Sequence, residues 1–313
     1  MNIKKVCVLG GSGFVGTHLV NKLGMAGCSV RVLTRARTHA MNVTVLPEVE
    51  VVEANIFDPL ELDRHFVGMD AVINLVGILN EAKPGDFHEV HVELPRKIVR
   101  ACAATGVKRL LHMSALHAGP NGPSAYLRSK GQGQAAVLEQ GNGLAVTVFR
   151  PSVIFGREDS FLNMFASLLK IAPVLPLACP EAKFQPVFVE DVAQAYVASL
   201  NNPATFGQSY DLCGPGVYSL RELVELVGSM TGVKRRVVGL GPRLSYLQAW
   251  MMEWMPGRKL MTRDNYYSMQ VDSVCDCKFP RIFDVKPSSV EAVAPMYLTE
   301  ASPYHGHRSA AGR

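Results

Sequence analysis

Glycines spaced three residues apart follow a short apolar segment close to the start of this chain. Residues 6–9 are apolar, and the next seven read Gly10-Gly11-Ser12-Gly13-Phe14-Val15-Gly16. A strand that ends in glycines and passes directly into a helix presents backbone N–H groups and a positive helix end at one point, which suits a pyrophosphate. The pattern therefore predicts a strand, a tight turn and a helix that together bind a dinucleotide.

Each of the spaced glycines has a separate expected task. Gly10 allows the tight turn, Gly13 lets phosphate groups approach the backbone, and Gly16 lets the new helix pack closely on the strand. A glycine-rich turn without a ligand is the alternative, but residues 17–26 continue with helical apolar spacing and favour binding. The residues that we expect to contact the cofactor here are Gly10, Ser12, Gly13, Phe14, Val15 and Gly16.

Strand and helix patterns alternate through the first 150 residues. Strands are expected at residues 29–33, 49–52, 70–75, 106–112 and 144–149, and a helix separates the last two at residues 125–139. This alternation predicts an α/β fold, a Rossmann-type doubly wound parallel sheet with helices on both faces. Ligands of such a sheet bind at the carboxyl ends of the strands, so reactive side chains are expected there.

Prolines interrupt the alternation beyond residue 150, at positions 173, 176, 180 and 186. Helical patterns persist at residues 161–170, 189–200 and 220–230. We therefore expect a dinucleotide-binding domain over residues 1–200, in which excursions after residue 150 cover the cleft. A smaller mixed C-terminal region for substrate or partner follows at residues 201–301, and the tail at 302–313 is expected to fray.

The second predicted strand ends in Thr34-Arg35-Ala36-Arg37, without a carboxylate. A carboxylate is expected at this point when the adenosine ribose has free hydroxyls, whereas an arginine can pair with a 2′-phosphate and stack on adenine. The sequence therefore favours NADP(H) over NAD(H), bound by Arg35 and Arg37, against the alternative of an exposed basic loop. Later strand ends add further expected cofactor contacts at Asn55, Ile56, Leu75, Val76 and Gly77.

Tyr126 and Lys130 lie four residues apart on a predicted helix, and Ser114 ends the strand before it. A phenol has a pKa near 10, and a neighbouring ammonium group lowers that pKa by favouring the phenolate. Tyr126 is therefore expected to exchange a proton with a substrate oxygen held by Ser114, while Lys130 lowers the phenol pKa and contacts the ribose. A Tyr/Lys pair on a helix surface is the alternative. His117, in the same loop, is expected to be a surface or pocket residue rather than the base.

Composition narrows the class of protein. The chain has 313 residues and is 48% hydrophobic, which is enough for a substantial core. No apolar run approaches the length of a membrane span and no apolar signal core precedes the glycines, so a cytoplasmic location is expected. The net charge of +5 is dispersed along the chain, which argues against a nucleic-acid partner.

Seven cysteines are scattered along the chain. Their number is odd, and Cys7 and Cys28 fall in core-like segments, so reduced thiols are expected rather than a disulfide framework. Cys275-Asp276-Cys277 lacks a second pair of ligands, so no metal site is expected.

Residues 244–255 are rich in methionine and tryptophan and are followed by Arg258 and Lys259. Core packing is the simplest interpretation of this stretch. A lid over an apolar, lipid-like or quinone-like substrate, and a helix that lies on a membrane surface or a partner protein, stay open as alternatives.

Five segments carry a resemblance to a known family. They are the glycine run at 10–16, Tyr126-Leu127-Arg128-Ser129-Lys130, residues 150–163 (RPSVIFGREDSFLN), residues 185–193 (QPVFVEDVA) and residues 260–264 (LMTRD). The chain resembles the short-chain dehydrogenase/reductase superfamily, in its extended or atypical, epimerase/dehydratase-like branch. It is most similar there to the family of the 39 kDa NADPH-binding subunit of respiratory complex I, and residues 150–163 are the most specific segment. The resemblance implies cofactor contacts at Gly10, Gly13, Phe14, Val15, Arg35, Lys130, Pro151, Ser152 and Val153.

Two functions are compatible with this resemblance. The first is an NADP(H)-dependent oxidoreductase, epimerase or dehydratase that acts through the Ser-Tyr-Lys centre on a moderately large, partly apolar small-molecule substrate beneath the C-terminal region. The second is a non-catalytic NADPH-binding accessory or assembly subunit, because the complex I subunit binds its nucleotide tightly without settled turnover. The second function implies a respiratory-complex partner, or a location peripheral to the inner face of a membrane.

Overall fold

The computed structural model describes residues 1–44, 46–140, 143–255 and 259–299. The described strands are β1 (Lys5–Leu9), β2 (Ser29–Thr34), β3 (Val49–Glu53), β4 (Ala71–Asn74), β5 (Arg109–Met113), β6 (Ala145–Pro151), β7 (Ile154–Phe155), β8 (Val174–Leu177), β9 (Lys183–Phe184), β10 (Val187–Phe188), β11 (Gln208–Leu212), β12 (Tyr218–Ser219) and β13 (Arg236–Gly239). The described helices are α1 (Phe14–Met25), α2 (Met41–Thr44), α3 (Pro59–Phe66), α4 (Asp86–His88), α5 (Leu94–Thr105), α6 (Ala125–Gln140), α7 (Leu162–Ile171), α8 (Val189–Leu200), α9 (Leu220–Met230), α10 (Pro242–Glu253), α11 (Arg263–Ser268), α12 (Val290–Val293) and α13 (Pro295–Leu298). A π-helical turn, Glu89–Glu93, lies between α4 and α5. The tail at 302–313 and Arg258 lie outside the described residues.

Seven parallel strands form the central sheet, in the order β11-β6-β5-β4-β1-β2-β3. The order reverses between β1 and β4, because the chain winds first toward β3 and then toward β11. In such a sheet the ligand crevice lies outside the carboxyl ends of the strands at the reversal. The predicted α/β, Rossmann-type doubly wound fold is confirmed, and its crevice lies beside Leu9 and Asn74, where β1 and β4 end.

Helices cover both faces of the sheet, which is why its inner strands consist of almost uninterrupted apolar residues. Successive side chains of a strand point to opposite faces. Val6 and Val8 of β1 pack in the core beneath α1 and α8, whereas Cys7 and Leu9 pack in the core beneath α3 and α5. All four of these side chains are fully buried, so β1 is held rigidly and the turn that follows it has a fixed origin.

The central sheet extends past residue 200, where the sequence predicts a domain boundary. Strand β11 pairs in parallel with β6 along Gln208–Leu212. Helices α7 and α9 and the short strand pairs around them enclose a separate core, which includes Phe155, Leu169 and Val224. This second core therefore draws on residues from both sides of β11.

A disulfide joins Cys213 to Cys275. The expectation of reduced thiols is wrong for this pair, although Cys7, Cys28, Cys102, Cys179 and Cys277 are free. The two half-cystines are separated by 62 residues and meet only because the segment after α11 returns to the end of β11. Spacing along the chain does not reveal such a meeting, because a disulfide depends on spatial geometry.

The methionine- and tryptophan-rich stretch forms α10 and the two residues that follow it, and its large side chains face solvent. Trp250 is 43% exposed and Trp254 is 76% exposed, while the buried face of α10 consists of Ser245 and Ala249. Core packing is therefore the wrong interpretation of this stretch. Among the described residues, no helix combines the length and apolar character that crossing a membrane requires.

Candidate functional site

The turn after β1 has the geometry of a phosphate cradle. Gly10 adopts a φ of +80°, and its carbonyl accepts a hydrogen bond from the Gly13 N–H at 3.1 Å. Helix α1 begins directly after Gly13, and no side chain of the described residues caps its N–H groups. A Cβ atom on Gly16 would lie 2.2 Å from the Gly10 oxygen, so only glycine lets α1 start this close to β1. The uncapped, positive end of α1 thus faces the crevice, which fits a pyrophosphate.

The other expected residues of this turn lie where a ligand can reach them. Ser12, Phe14 and Val15 are half-buried and Gly13 is exposed. The edge of the Phe14 ring packs beside Gly156, where a Cβ atom would be 3.2 Å from the ring. Phe14 therefore connects the cradle with the residue that follows β7.

An open pocket of about 550 Å³ lies at the ends of β2 and β3, where the adenosine part of a dinucleotide is expected. Two of the expected cofactor residues, Arg35 and Asn55, line it, and Arg37 is exposed nearby on the same loop. Ile56 is only 8% exposed and packs in the core, so its side chain does not line the pocket. Glu53 also lines the pocket, because β3 pairs in register with β2 and places it beside Thr34. No local sequence pattern indicates this carboxylate, because only the pairing of β2 with β3 brings it to Arg35.

Helix α6 presents Tyr126 and Lys130 one turn apart, and two elements hold its start. The Ser124 hydroxyl accepts a hydrogen bond from the Leu127 N–H at 3.1 Å. The Asp264 carboxylate accepts the N–H groups of Ala125 and Tyr126, at 2.7 and 3.1 Å. The position and direction of Tyr126 are therefore set partly from the far C-terminal part of the chain.

Lys130 is buried, and its ammonium group donates a hydrogen bond to the Met113 carbonyl at 2.6 Å. Burial lowers the pKa of Lys130 to about 8. Burial also raises the pKa of Tyr126 to about 12, so the phenol keeps its proton at neutral pH. The expectation that Lys130 lowers the phenol pKa is not met in this structure. The ammonium group is hydrogen-bonded to the carbonyl at the end of β5, and the burial of the phenol is the largest influence on the pKa of Tyr126.

Ser114 directly follows β5, and its N–H donates to the Phe149 carbonyl at 2.7 Å. The residue is 3% exposed, and its hydroxyl oxygen has no hydrogen-bond partner among the described residues. Buried hydroxyls are almost always hydrogen-bonded, so one without a partner calls for a ligand or a water molecule. The carbonyl of the preceding residue, Met113, holds Lys130, which places Ser114 and Lys130 at the same strand end.

His91 is a member of this site that the sequence analysis missed. Its Nε2 atom accepts a hydrogen bond from the Ile78 N–H at 3.1 Å, so the proton of the neutral ring is on Nδ1. Nδ1 donates to the Ser129 hydroxyl at 2.9 Å, and that hydroxyl donates to the Tyr126 carbonyl at 2.8 Å. Burial, followed by the charge of Lys130, lowers the pKa of His91 to about 3. A neutral ring with one fixed tautomer therefore connects the loop after β4 to the Tyr126 helix.

Ring contacts and glycines complete the packing around His91. The ring stacks on Phe87 and meets the Tyr126 ring edge-on, with centroids 5.6 Å apart. A Cβ atom on Gly133 would lie 1.8 Å from the His91 carbonyl oxygen. Helix α6 can therefore approach the π-helical turn this closely only because residue 133 is glycine. The expected contact Gly77 also lies here, since its Cβ position is 3.6 Å from both His91 Nε2 and Lys130 Nζ.

The two remaining groups of expected cofactor residues lie at the ends of β4 and β6. Leu75 and Val76 are half-buried directly after β4. The Pro151 carbonyl accepts the N–H of Leu116, which brings the end of β6 next to the loop after Ser114. Ser152 is 5% exposed, and its hydroxyl is already hydrogen-bonded to Ser273. Val153, half-buried, follows at the same edge.

The segments that carry the family resemblance have structural tasks around the crevice. In residues 150–163, the Asp159 carboxylate accepts the N–H groups of Phe161 and Leu162 at the start of α7, and the Tyr297 hydroxyl. In residues 185–193, Gln185 binds the Gly214 carbonyl and the Cys275 N–H. The carboxylate in residues 260–264 is Asp264, which binds the start of α6. Each of these side chains joins elements that are far apart in the chain.

A model of the NAD dependent epimerase/dehydratase family matches residues 6–213, from β1 to the residue after β11. The chain belongs to this family. Mouse NADH dehydrogenase [ubiquinone] 1 alpha subcomplex subunit 9, a mitochondrial protein, is 30% identical over 295 residues, which are 91% of this chain and 77% of the relative. Ceramide reductase of Caulobacter vibrioides is 29% identical over 236 residues, which are 75% of this chain and 73% of the relative.

Solved structures share the fold of this epimerase/dehydratase family member. Pal from Bacillus thuringiensis superimposes with a TM-score of 0.75 at 17% identity, covering 95% of this chain and all of that one. The dTDP-glucose 4,6-dehydratase DesIV from Streptomyces venezuelae, with NAD bound, superimposes with a TM-score of 0.65 at 23% identity over 75% of this chain and 84% of that one. At these identities the likeness establishes the fold.

Proposed function

We propose that this protein is an NADP(H)-dependent oxidoreductase, epimerase or dehydratase whose reaction centre is Ser114, Tyr126 and Lys130. The observation that carries the proposal is the Ser114 hydroxyl, which is buried and has no hydrogen-bond partner among the residues that the structure describes, at the strand end where Lys130 is anchored. A substrate oxygen would satisfy this hydroxyl, and such an oxygen would lie at the carboxyl edge of the sheet, where the ligands of this fold bind.

The residues of the centre have distinct tasks in this proposal. The Ser114 hydroxyl donates a hydrogen bond to the substrate oxygen and orients it. Tyr126, protonated at neutral pH, donates its phenol proton to that oxygen as charge develops there. Lys130, with a pKa of about 8 and its ammonium group on the Met113 carbonyl, supplies positive charge beside the ribose. A nicotinamide cofactor, when bound, supplies the hydride.

The cradle at Gly10, Gly13 and Gly16 would hold the pyrophosphate, and Arg35 supports a preference for the 2′-phosphate of NADP(H). Glu53 shares the pocket with Arg35 and would favour the free ribose hydroxyls of NAD(H). The cofactor preference is therefore tested by measuring NADPH and NADH binding to variants of these residues. We expect Arg35→Ala to weaken NADPH binding about tenfold or more with little effect on NADH, since it removes a charged contact to phosphate. Equal losses for both nucleotides, or a tighter wild-type complex with NADH, would refute the NADP(H) assignment.

A lipophilic carbonyl compound is the substrate class that we propose. The exposed Leu79 in the loop after β4 offers an apolar contact at the crevice, and one relative is named as a ceramide reductase. The test is oxidation of NADPH by a panel of long-chain ketones and quinones. Tyr126→Phe should abolish turnover while nucleotide binding and folding stay normal. A panel without turnover, or a fully active Tyr126→Phe variant, would count against catalysis.

A second function is a nucleotide-binding accessory or assembly subunit, with NADPH as a structural ligand and a respiratory complex as partner. The 30% identity with complex I subunits over most of the chain favours it, as does a phenol whose pKa is raised to about 12. In cells that require the protein, a Tyr126→Phe, Lys130→Met double variant separates the two functions. Full complementation would support the accessory function, and loss of complementation by a folded variant would support the enzyme. We propose the cytoplasm, at the inner face of a membrane, as the location for either function.

A further inference from the structure

Helix α10 has its large apolar side chains on the outside. The exposed fractions along the helix and directly after it are 56% for Leu244, 45% for Leu247, 59% for Met251, 76% for Trp254 and 57% for Met255. On the inner face, Ser245 is 1% exposed and Ala249 is fully buried. This arrangement is the reverse of an ordinary surface helix, whose apolar stripe faces the core.

Polar contacts on the inner face fix the helix in this orientation. The Ser245 hydroxyl accepts the Cys179 N–H and donates to the Leu240 carbonyl, each at 3.1 Å. Gln248 donates to the Pro176 carbonyl at 3.1 Å. Rotating α10 to bury its tryptophans would break these bonds, so the apolar face is presented outward by the fold itself.

Cations accompany this apolar face. Exposed Arg236 of β13 lies in register beside exposed Val174 of β8, and Lys234 and Arg243 are exposed on the segments leading to and into α10. The one carboxylate of α10 is Glu253, and it forms an ion pair with Arg263 at 2.8 Å. Within the part of the chain that the structure describes, Lys234, Arg236 and Arg243 form no ion pair, so the surface combines aromatic and aliphatic groups with positive charge.

We propose that the outer face of α10, with the cations Lys234, Arg236 and Arg243, docks on a lipid bilayer that contains anionic phospholipids. Tryptophan and long aliphatic side chains enter the boundary between headgroups and acyl chains, while lysine and arginine bind the anionic headgroups. A second copy of this chain fits the face less well, because a two-fold contact would bring the same cations together.

The docking face is connected to the crevice. Arg263, which pairs with Glu253 of α10, precedes Asp264, which binds the start of the Tyr126 helix. Thr262 and Asn265 hydrogen-bond to Asn80 and to the Leu79 carbonyl in the loop after β4. Docking through α10 would therefore place the mouth of the crevice beside the bilayer, where a lipophilic substrate could enter. The entry of such a substrate rests on the proposed function, whereas the docking itself does not.

Both tryptophans of the chain lie on this face, so intrinsic fluorescence reports docking directly. The full chain is mixed with vesicles of equal parts phosphatidylglycerol and phosphatidylcholine, or of phosphatidylcholine alone, and binding is followed by tryptophan emission and co-sedimentation. We expect a blue shift and sedimentation with the anionic vesicles, both reduced by salt. Leu247→Gln with Trp254→Gln should weaken binding about tenfold or more for each lost side chain. Lys234→Gln with Arg236→Gln should weaken it about fivefold for each lost charge.

The control is Met25→Gln with Leu60→Gln, two exposed apolar residues on α1 and α3 (83% and 73% exposed), which should leave binding unchanged. Absence of both signals with anionic vesicles, equal binding to phosphatidylcholine alone, or equal loss in the control would overturn the proposal. A blue shift that depends on protein concentration without vesicles would also overturn it, and would assign the face to a second copy of the chain. Neither readout requires nucleotide or turnover, so failure here is distinguishable from failure of the proposed function.

Discussion

The Asp264 carboxylate accepts a hydrogen bond from the backbone N–H of Tyr126 at 3.1 Å, across 138 residues of sequence. It also accepts the neighbouring N–H of Ala125 at 2.7 Å, so it serves as the N-terminal cap of α6. A carboxylate at this position satisfies two free backbone donors and interacts favourably with the positive end of the helix. The C-terminal part of the chain therefore sets the start of the helix that carries Tyr126.

Asp264→Ala should lower the free energy of unfolding by about 1 to 2 kcal/mol, because a cap and a helix-end charge are both lost. Urea unfolding followed by circular dichroism measures the change. Asp276→Ala, which removes an exposed carboxylate, is the control and should stay within about 0.5 kcal/mol of the wild type. If the two variants were equally stable, Asp264 would not be acting as a cap.

Gly16→Ala and Gly24→Ala, two substitutions on the same helix, should have opposite effects. A Cβ on Gly16 would meet the Gly10 oxygen at 2.2 Å, whereas a Cβ on Gly24 meets nothing within 4 Å. Gly16→Ala should therefore cost about 2 kcal/mol or more and weaken nucleotide retention, because α1 must move away from β1. Gly24→Ala should gain about 0.5 to 1 kcal/mol from helix propensity. Thermal unfolding of both variants checks the prediction, and a destabilised Gly24→Ala would contradict it.

Stability should decrease as the pH falls below the ordinary histidine pKa of 6.5, because burial depresses the pKa of His91 to about 3 and that of His112 well below 6.5. The unfolded chain binds protons in this range and the folded chain does not, so the stability present above pH 6.5 is lost as the pH falls toward 3. Each histidine contributes a slope of about 1.4 kcal/mol per pH unit. His91→Gln should remove one such contribution between about pH 6 and pH 5 in urea unfolding. An unchanged slope would show that His91 is protonated in the folded protein.

Ser114→Ala and Ser124→Ala remove hydroxyls from two equally buried serines, but only one hydroxyl has partners. Ser124 binds the Leu127 N–H and the Ser268 hydroxyl, so its loss should cost about 1 kcal/mol. The Ser114 hydroxyl has no partner in the described ranges of the chain, so its loss should leave stability within about 0.5 kcal/mol. If the proposed function is correct, Ser114→Ala also lowers turnover about a hundredfold, as loss of a donor to a reacting oxygen does. A strongly destabilised Ser114→Ala variant would show that the hydroxyl has a structural role.

Local sequence patterns predicted strands β1 to β6 and helices α1 and α6 to α9, but not strands β7 to β13. The helices at 189–200 and 220–230 have the predicted bounds, and α6 ends one residue beyond its predicted end at 139. Hydrophobic periodicity is a local property, and each of these helices shows it over its whole length. The placement of Ser114 after a strand, and of Tyr126 and Lys130 on the next helix, followed from the same local patterns. Their roles in catalysis remain a proposal.

The residues that sequence reasoning missed act across long separations. His91 reaches Ile78 and Ser129 through a π-helical turn and a glycine contact from α6, and Glu53 reaches the Arg35 pocket through strand pairing. Cys275 meets Cys213 only after the chain has returned from α11. A single sequence without homologues carries no signal for such contacts, although a histidine flanked by valines in a helical segment is a weak indication of burial.

The exposure of the apolar face of α10 is another property that the sequence did not predict. Its composition alone favoured a buried helix, because methionine and tryptophan are common in cores. The helix faces outward because Ser245 and Gln248 bind backbone groups of neighbouring segments, and those partners exist only in the folded chain.

By itself, the sequence determined the glycine turn, the order of strands and helices, and the parallel sheet that follows from their alternation, since each depends on backbone preference and apolar spacing over a few residues. Only the tertiary structure decided which side chains meet at the crevice, which protonation states they hold, and which apolar face remains exposed. These properties depend on burial and on contacts between distant segments, and a carboxylate such as Asp264 becomes part of the site only when the fold brings it to Tyr126.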